Sequence, residues 1–271
     1  MQAASLPASY GWQWVRDGFG LFKKQPLAVF TWALFISLLV MFATFTPPVG
    51  PLLFVALMPI ITVMTLAACR HIEAGRTMLP SMWPQPLTRP GLLKKLLVMG
   101  ALYAGLSITA GLVTFLPFSS ELTEGLRVAS MEKDLTPFLE AMRVPVILFA
   151  VAYLVIAALF WHTPILVAWH GLRLPQALFY SGVACWRNKL PFLVYGATWV
   201  LVFLFIDLCA GVLVSIGLSP ELAGTLQIPF NIAAGGVLYC SFYPAYTTVF
   251  DIQDPLAQSD QRPDQPAQPG S

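Results

Sequence analysis

Six stretches of about twenty predominantly apolar residues set the terms for this chain. They fall at 27–45, 49–68, 96–118, 144–169, 190–217 and 226–250. Each is long enough to cross a hydrocarbon core of about 30 Å as an α-helix. Lipid offers no hydrogen bonds, so a spanning segment must satisfy its own backbone, and a helix does so within one segment. The supply of charge points the same way. Only 10% of the 271 residues are charged, against 57% apolar, where soluble domains carry roughly 25% charged residues. That balance excludes a soluble globular fold, and it excludes disorder for all but the ends. The apolar runs are continuous rather than alternating, which argues against a membrane β-barrel. The predicted fold class is an all-α polytopic transmembrane bundle of six spans, forming one domain over residues 1–250. The first run is longer than a signal-peptide core and lacks a clean small-x-small cleavage site, so it reads as a retained span.

Lys and Arg set the direction of threading. Twelve of the fifteen fall at the N-terminal segment, in the stretches between spans two and three and between spans four and five, and in the tail. Only Arg127, Lys133 and Arg143 fall elsewhere, in an outer loop over 119–143 that also holds Glu121, Glu124, Glu132, Asp134 and Glu140. Both termini are therefore expected in the cytoplasm. In the outer loop, Thr136 as N-cap and Pro137 in the first turn predict a short helix. The tail, 251–271, is rich in Asp, Gln and Pro and cannot bury enough apolar surface to order itself, so a disordered cytoplasmic tail is expected.

The chain reads as three similar hairpins. Each returning helix carries a proline in its cytoplasmic half, Pro59, Pro164 and Pro244, in the strings PIITVM, PILVAW and PAYTTV. Proline inside a helix frees a carbonyl and kinks the rod, so these three are candidate helix kinks. Two segments read as interfacial amphipathic helices. In 12–26, Trp12, Val15, Phe19 and Phe22 share one face, with Arg16, Lys23 and Lys24 elsewhere. In 175–189, Phe179, Val183 and Trp186 share a side, and Arg187 and Lys189 close the segment. Trp12, Arg16, Lys23, Lys24, Trp186, Arg187 and Lys189 are the candidate contacts to anionic lipid headgroups or to a protein partner.

Polar residues within spans are costly and are the default functional suspects. Here they are Asp207, Asn231 and His162. His162 lies toward the cytoplasmic side and Asp207 toward the outer side, too far apart in depth to form a couple. Asn231 matches Asp207 in height, and the Asp207 carboxyl is expected to be protonated or hydrogen-bonded to Asn231 or a hydroxyl. Ala101, Gly105 and Thr109 give span three a small-residue face suited to close helix packing or a homodimer contact. Cys69, Cys185, Cys209 and Cys240 show no paired spacing and no His cluster, so neither a disulfide framework nor a metal site is expected. No phosphate loop, zinc-protease motif or nucleophile elbow occurs. The composition implies neither cofactor nor nucleic acid.

The runs WQWVRDGFGLFKKQPLAVF, PPVGPLLFVALMP, ACRHIEAGR and ALFYSGVACWRNKLPFLVYG resemble an uncharacterised family of proteobacterial multi-pass inner-membrane proteins. The resemblance covers most of 12–250. It implies the bacterial inner membrane and brings no catalytic or ligand residues with it. The expected function is that of a non-enzymatic membrane protein that binds lipid or a partner, as an accessory or assembly factor. The alternative is a small-solute or ion transporter using Asp207.

Overall fold

The computed structural model describes residues 3–250, and the expected disordered tail lies outside them. Among the described residues every regular element is helical: α1 (Tyr10–Lys24), α2 (Pro26–Thr44), α3 (Val49–Glu73), α4 (Leu92–Phe115), α5 (Ser119–Glu132), α6 (Thr136–Phe160), α7 (Thr163–His170), α8 (Leu174–Arg187), α9 (Lys189–Ser215) and α10 (Pro220–Phe250). Three short 3-10 turns join them. Two compact units result. One holds residues 3–38, 64–86 and 187–250; the other holds 39–63 and 87–186.

Five rods are long and apolar enough to cross a membrane: Pro26–Thr44, Val49–Glu73, Leu92–Glu132, Thr136–His170 and Lys189–Ser215. α10, the expected sixth span, has 31 residues and ample length but is not among the five. Gln227, Asn231, three tyrosines and two internal prolines dilute its apolar content. A helix enclosed by protein can carry such residues, because its neighbours rather than lipid meet them.

In the first unit, α1, α9 and α10 pack on one another. α1 buries Gly11, Trp14, Val15, Gly18 and Leu21. Gly11 and Gly18 are where backbones meet. A methyl group at Gly18 would stand 2.6 Å from Ser241 Cα, and one at Gly11 would stand 2.7 Å from the Tyr195 backbone nitrogen. One face of α1, with Gly11, Trp14, Val15 and Gly18, is therefore locked into protein, so Val15 does not lie on the exposed aromatic face as expected. Trp12 and Phe19, predicted to share a face with Val15, instead stay 55% and 47% exposed. On α2, Trp32 is buried and donates its indole N–H to Thr65 Oγ1 at 3.0 Å.

In the second unit the outer loop is helical almost throughout. α4 runs through a 3-10 turn at Leu116–Phe118 into α5, giving a 41-residue rod. At ~1.5 Å per residue that is about 60 Å, twice the hydrocarbon thickness. Lys133 turns the chain at φ 55°, and α6 packs back on α5 and α4. The helix start is where Thr136 and Pro137 predict it, but the helix is not short: it continues into the span. Thr136 is the first helical residue rather than the N-cap, and Asp134 Oδ1 accepts its N–H at 2.9 Å. The Thr136 hydroxyl, and then its backbone N–H, hold the Asp134 carboxyl below its usual range. The close approach of α3 to α4 falls at Gly100, where an added Cβ would collide with the Ala56 carbonyl. The predicted Ala101–Gly105–Thr109 face is exposed instead.

The three prolines behave differently. Pro59 and Pro244 sit inside unbroken helices. Pro164 does more than kink: the helix stops at Phe160 and restarts as α7 at Thr163. Pro145 and Pro229, also inside helices, were not singled out by the sequence pattern. α7 ends at Gly171, whose φ of 65° suits glycine.

Candidate functional site

The richest polar cluster lies in the first unit, along the last third of α10. Ser241 Oγ and Tyr195 Oη of α9 share a hydrogen bond of 2.6 Å. Thr248 Oγ1 accepts the Trp14 indole N–H at 2.8 Å. Tyr243 Oη donates to Glu73 at the end of α3. Cys240 lies side by side with Cys69 of α3. Each bond ties a different helix to α10. The Tyr195–Ser241 pair is buried, so its bond spares both hydroxyls the cost of an unpaired buried group, while the Trp14–Thr248 and Tyr243–Glu73 bonds are part-buried. None combines a nucleophile with a base and an orienting group, and no cluster of three or more His, Cys, Asp or Glu suited to a metal occurs among the described residues.

The N-terminal segment joins this seam. Asn188, fully buried between α8 and α9, accepts the Leu6 N–H at 2.9 Å and donates to the Ala4 carbonyl at 2.8 Å. Ala4 N–H in turn reaches the Val249 carbonyl at 2.7 Å. One amide side chain thus holds an extended strap, residues 4–6, against the end of α10. Sequence reasoning missed Trp14, Tyr195, Ser241 and Asn188. The signal for α1 was present: Gly11 and Gly18, two turns apart, flank Trp14 on one face.

Of the intramembrane candidates, Asp207 is exposed on α9 and accepts a hydrogen bond from Gln227 Nε2 of α10. An expected partner, Asn231, lies one turn further along, half-buried. His162 is buried in the second unit, at the break between α6 and α7. Its backbone N–H donates to Ser181 Oγ at 3.0 Å, and that hydroxyl donates to the Ala158 carbonyl at 2.8 Å. Ser181 of α8 thereby closes the hydrogen-bond gap that the break opens. Arg89 Nη1 caps the end of α7 through the Ala168 carbonyl at 3.1 Å.

The lipid-contact candidates lie on outward faces. α8 buries only Ala177, Ser181 and Ala184, leaving Trp186 74% and Phe179 66% exposed. Burial pushes the Cys185 thiol up to about 12. On α1, Lys23 Nζ sits 4.9 Å from the Phe19 ring centroid, and Arg16 pairs with exposed Asp17 at 3.5 Å. Small residues inside and large aromatics outside suit a protein solvated by lipid. In the second unit an open groove of about 550 Å³, lined chiefly by Ile108, Leu112, Phe115 and Leu116, is almost wholly apolar.

No family model and no solved structure matches the chain. A protein of Burkholderia thailandensis named a "probable inner membrane protein" is 32% identical over 263 residues, covering 95% of this chain and 97% of the relative. That likeness runs end to end, through the spans and the segments between them. The chain belongs to the family of this inner-membrane protein, and it is a helical, multi-pass protein of the bacterial inner membrane.

Proposed function

We propose that the protein is a non-enzymatic accessory factor of the inner membrane that holds anionic lipid, or a partner bearing acidic groups, on its cytoplasmic face. In this reading the chain crosses six times as three hairpins, α10 being the sixth span, with both termini in the cytoplasm. The observation that carries it is the division of α1 into two faces: Gly11, Trp14 and Gly18 lock into protein, while Trp12, Phe19, Lys23 and Lys24 remain outside. An aromatic ring supporting a lysine suits the headgroup layer, where each basic residue near an anionic surface is worth about 1 kcal/mol. Arg187 and Lys189, at the junction of α8 and α9, add charge on the same predicted side of the membrane. Native mass spectrometry of protein extracted in mild detergent tests this. Anionic phospholipid or a protein partner is expected to stay bound to the natural chain and to be released when Lys23, Lys24 and Arg187 are changed to Glu. Spectra of natural chain free of any adduct would count against the proposal.

A second reading, transport of a small solute or ion, is favoured by the Asp207–Gln227 bond between α9 and α10. A carboxylate on a spanning helix is costly and often marks an ion path. If Asp207→Asn leaves both stability and all assayed fluxes unaltered, this reading fails.

A further inference from the structure

We propose, resting on the lipid-binding reading above, that the ends of α1 and α3 form a headgroup site for a phospholipid bearing two phosphates, of the cardiolipin class. Lys23 and Lys24 close α1, and Arg76 follows the end of α3. Gln25, the residue after Lys24, joins the two ends. Its Nε2 donates to the Arg76 carbonyl at 2.6 Å, and its Oε1 accepts the Met78 N–H at 2.7 Å. The Arg76 N–H donates to the His71 carbonyl at 2.9 Å, and Gly75, at φ 71°, makes the turn that allows it. One amide side chain thus fixes Arg76 beside the two lysines, although Gln25 and Arg76 lie 51 positions apart.

Lys23, Lys24 and Arg76 are all exposed. Residues 23–27 and 70–79 contain one acidic side chain, Glu73, and it accepts the Tyr243 hydroxyl. Three cations therefore stand together with little to neutralise them, and their mutual repulsion favours an anion. A headgroup with one phosphate carries one negative charge; a headgroup with two carries twice that and spreads it over more of the cluster. The guanidinium fork and two ammonium groups suit both phosphates at once. The surroundings select a lipid over a soluble phosphate. Leu27 is 82% exposed and Leu79 52%, and each lies within two residues of the Gln25–Met78 bond. Pro26 opens α2, one of the five membrane-length rods, so the cations stand where that rod begins. Acyl chains leaving the headgroup meet leucine there, in the kind of basic pocket beside spanning helices that suits cardiolipin.

The test titrates the full chain in mild detergent with cardiolipin, with phosphatidylglycerol of the same acyl chains, and with inorganic pyrophosphate, reading bound ligand by native mass spectrometry. Cardiolipin is expected to bind at least about fivefold more tightly than phosphatidylglycerol, the factor that one further charge contact brings. Excess pyrophosphate is expected to leave it in place. Arg76→Gln should weaken cardiolipin about fivefold and phosphatidylglycerol little. Gln25→Ala keeps every charge but frees residues 76–78, and should lose the preference as well. Lys133→Gln, between α5 and α6, should keep it. Equal affinity of the natural chain for the two lipids would overturn the two-phosphate site and leave lipid binding standing; retention of neither lipid would overturn the lipid-binding reading too. Displacement by pyrophosphate would assign the patch to a soluble phosphate, and an undiminished preference in Arg76→Gln would remove Arg76 from the site; either result overturns the proposal. The natural-chain comparison stands even if a variant fails to fold.

Discussion

Replacing Gly18 with alanine should destabilise the protein, and the same change at Gly20 should not. The two sites share one helix and one substitution, so propensity cancels between them. Glycine costs a helix about 1 kcal/mol relative to alanine, and both variants recover that. At Gly20 nothing stands within 4 Å of the new methyl, so the gain survives. At Gly18 the methyl meets Ser241 Cα at 2.6 Å and Ser241 N at 2.7 Å, which are backbone atoms and cannot rotate away. α1 must back off from α10 by about 1 Å, and a gap of that size forfeits a quarter to a half of the dispersion attraction along the contact. Overpacking of this kind costs roughly 1–3 kcal/mol. Lengthening the Trp14–Thr248 bond of 2.8 Å adds about 1 kcal/mol. After subtracting the propensity gain, the net loss is roughly 1–3 kcal/mol. Thermal unfolding in detergent, followed by size-exclusion chromatography of a fluorescent fusion, gives both midpoints. Gly18→Ala is expected to melt several degrees below the natural chain and Gly20→Ala at or above it. A Gly18→Ala midpoint equal to the natural one would refute the claim that α1 is a packed element of the bundle.

Other outcomes follow from the same structure. Asn188→Ala removes the partner of the Leu6 N–H and the Ala4 carbonyl, at a net cost of about 1 kcal/mol for each part-buried bond; limited proteolysis should cut before residue 10 sooner, while unchanged cleavage would mean that the strap is held otherwise. The Cys185 thiol, raised by burial from 9.0 to about 12, stays neutral in the folded chain where an unfolded thiol ionises. Its contribution is intact below pH 9 and is lost as pH rises from 9 toward 12; Cys185→Ser should flatten the alkaline arm of the stability profile, and an unaltered arm would contradict this. Asp134, lowered by its bonds from Thr136, stabilises the start of α6 at neutral pH and stops doing so as pH falls through its depressed value. The protection factor at Thr136, the intrinsic exchange rate over the observed one, should therefore fall in acid, and Asp134→Ala should show the same lowered protection at pH 7.

How much of this was legible in the chain depended on what kind of pattern wrote it. Span positions were legible, because crossing lipid requires an unbroken apolar run, and the starts at Pro26, Val49 and Lys189 fall within a residue of expectation. The long rods Leu92–Glu132 and Thr136–His170 were underestimated, because α5 is amphipathic and its charges read as loop. On α1 the outward aromatics were legible and the packed face was not: Trp12 and Phe19 stay exposed, while Gly11 and Gly18 let backbones approach closely and carry Val15 into protein. The Cys69–Cys240 and Trp14–Thr248 pairs were invisible because they join residues more than 170 positions apart, and a single sequence holds no record of which helix lies beside which. Asp207 was found because its cost in a span is intrinsic; Gln227 was missed because one helical turn separates it from Asn231.

The number of crossings is the claim on which the proposed function turns, and α10 decides it. Fusions of a phosphatase active only outside the cytoplasm, and of a fluorescent protein folding only within it, placed before Tyr10, within 133–135, at Gly217 and after Phe250, read the side of each point directly. Six crossings are expected to put Tyr10 and Phe250 in the cytoplasm, with 133–135 and Gly217 outside. Phe250 and Tyr10 on opposite faces would mean that α10 does not cross, and would remove the cytoplasmic seam as a site for lipid or partner.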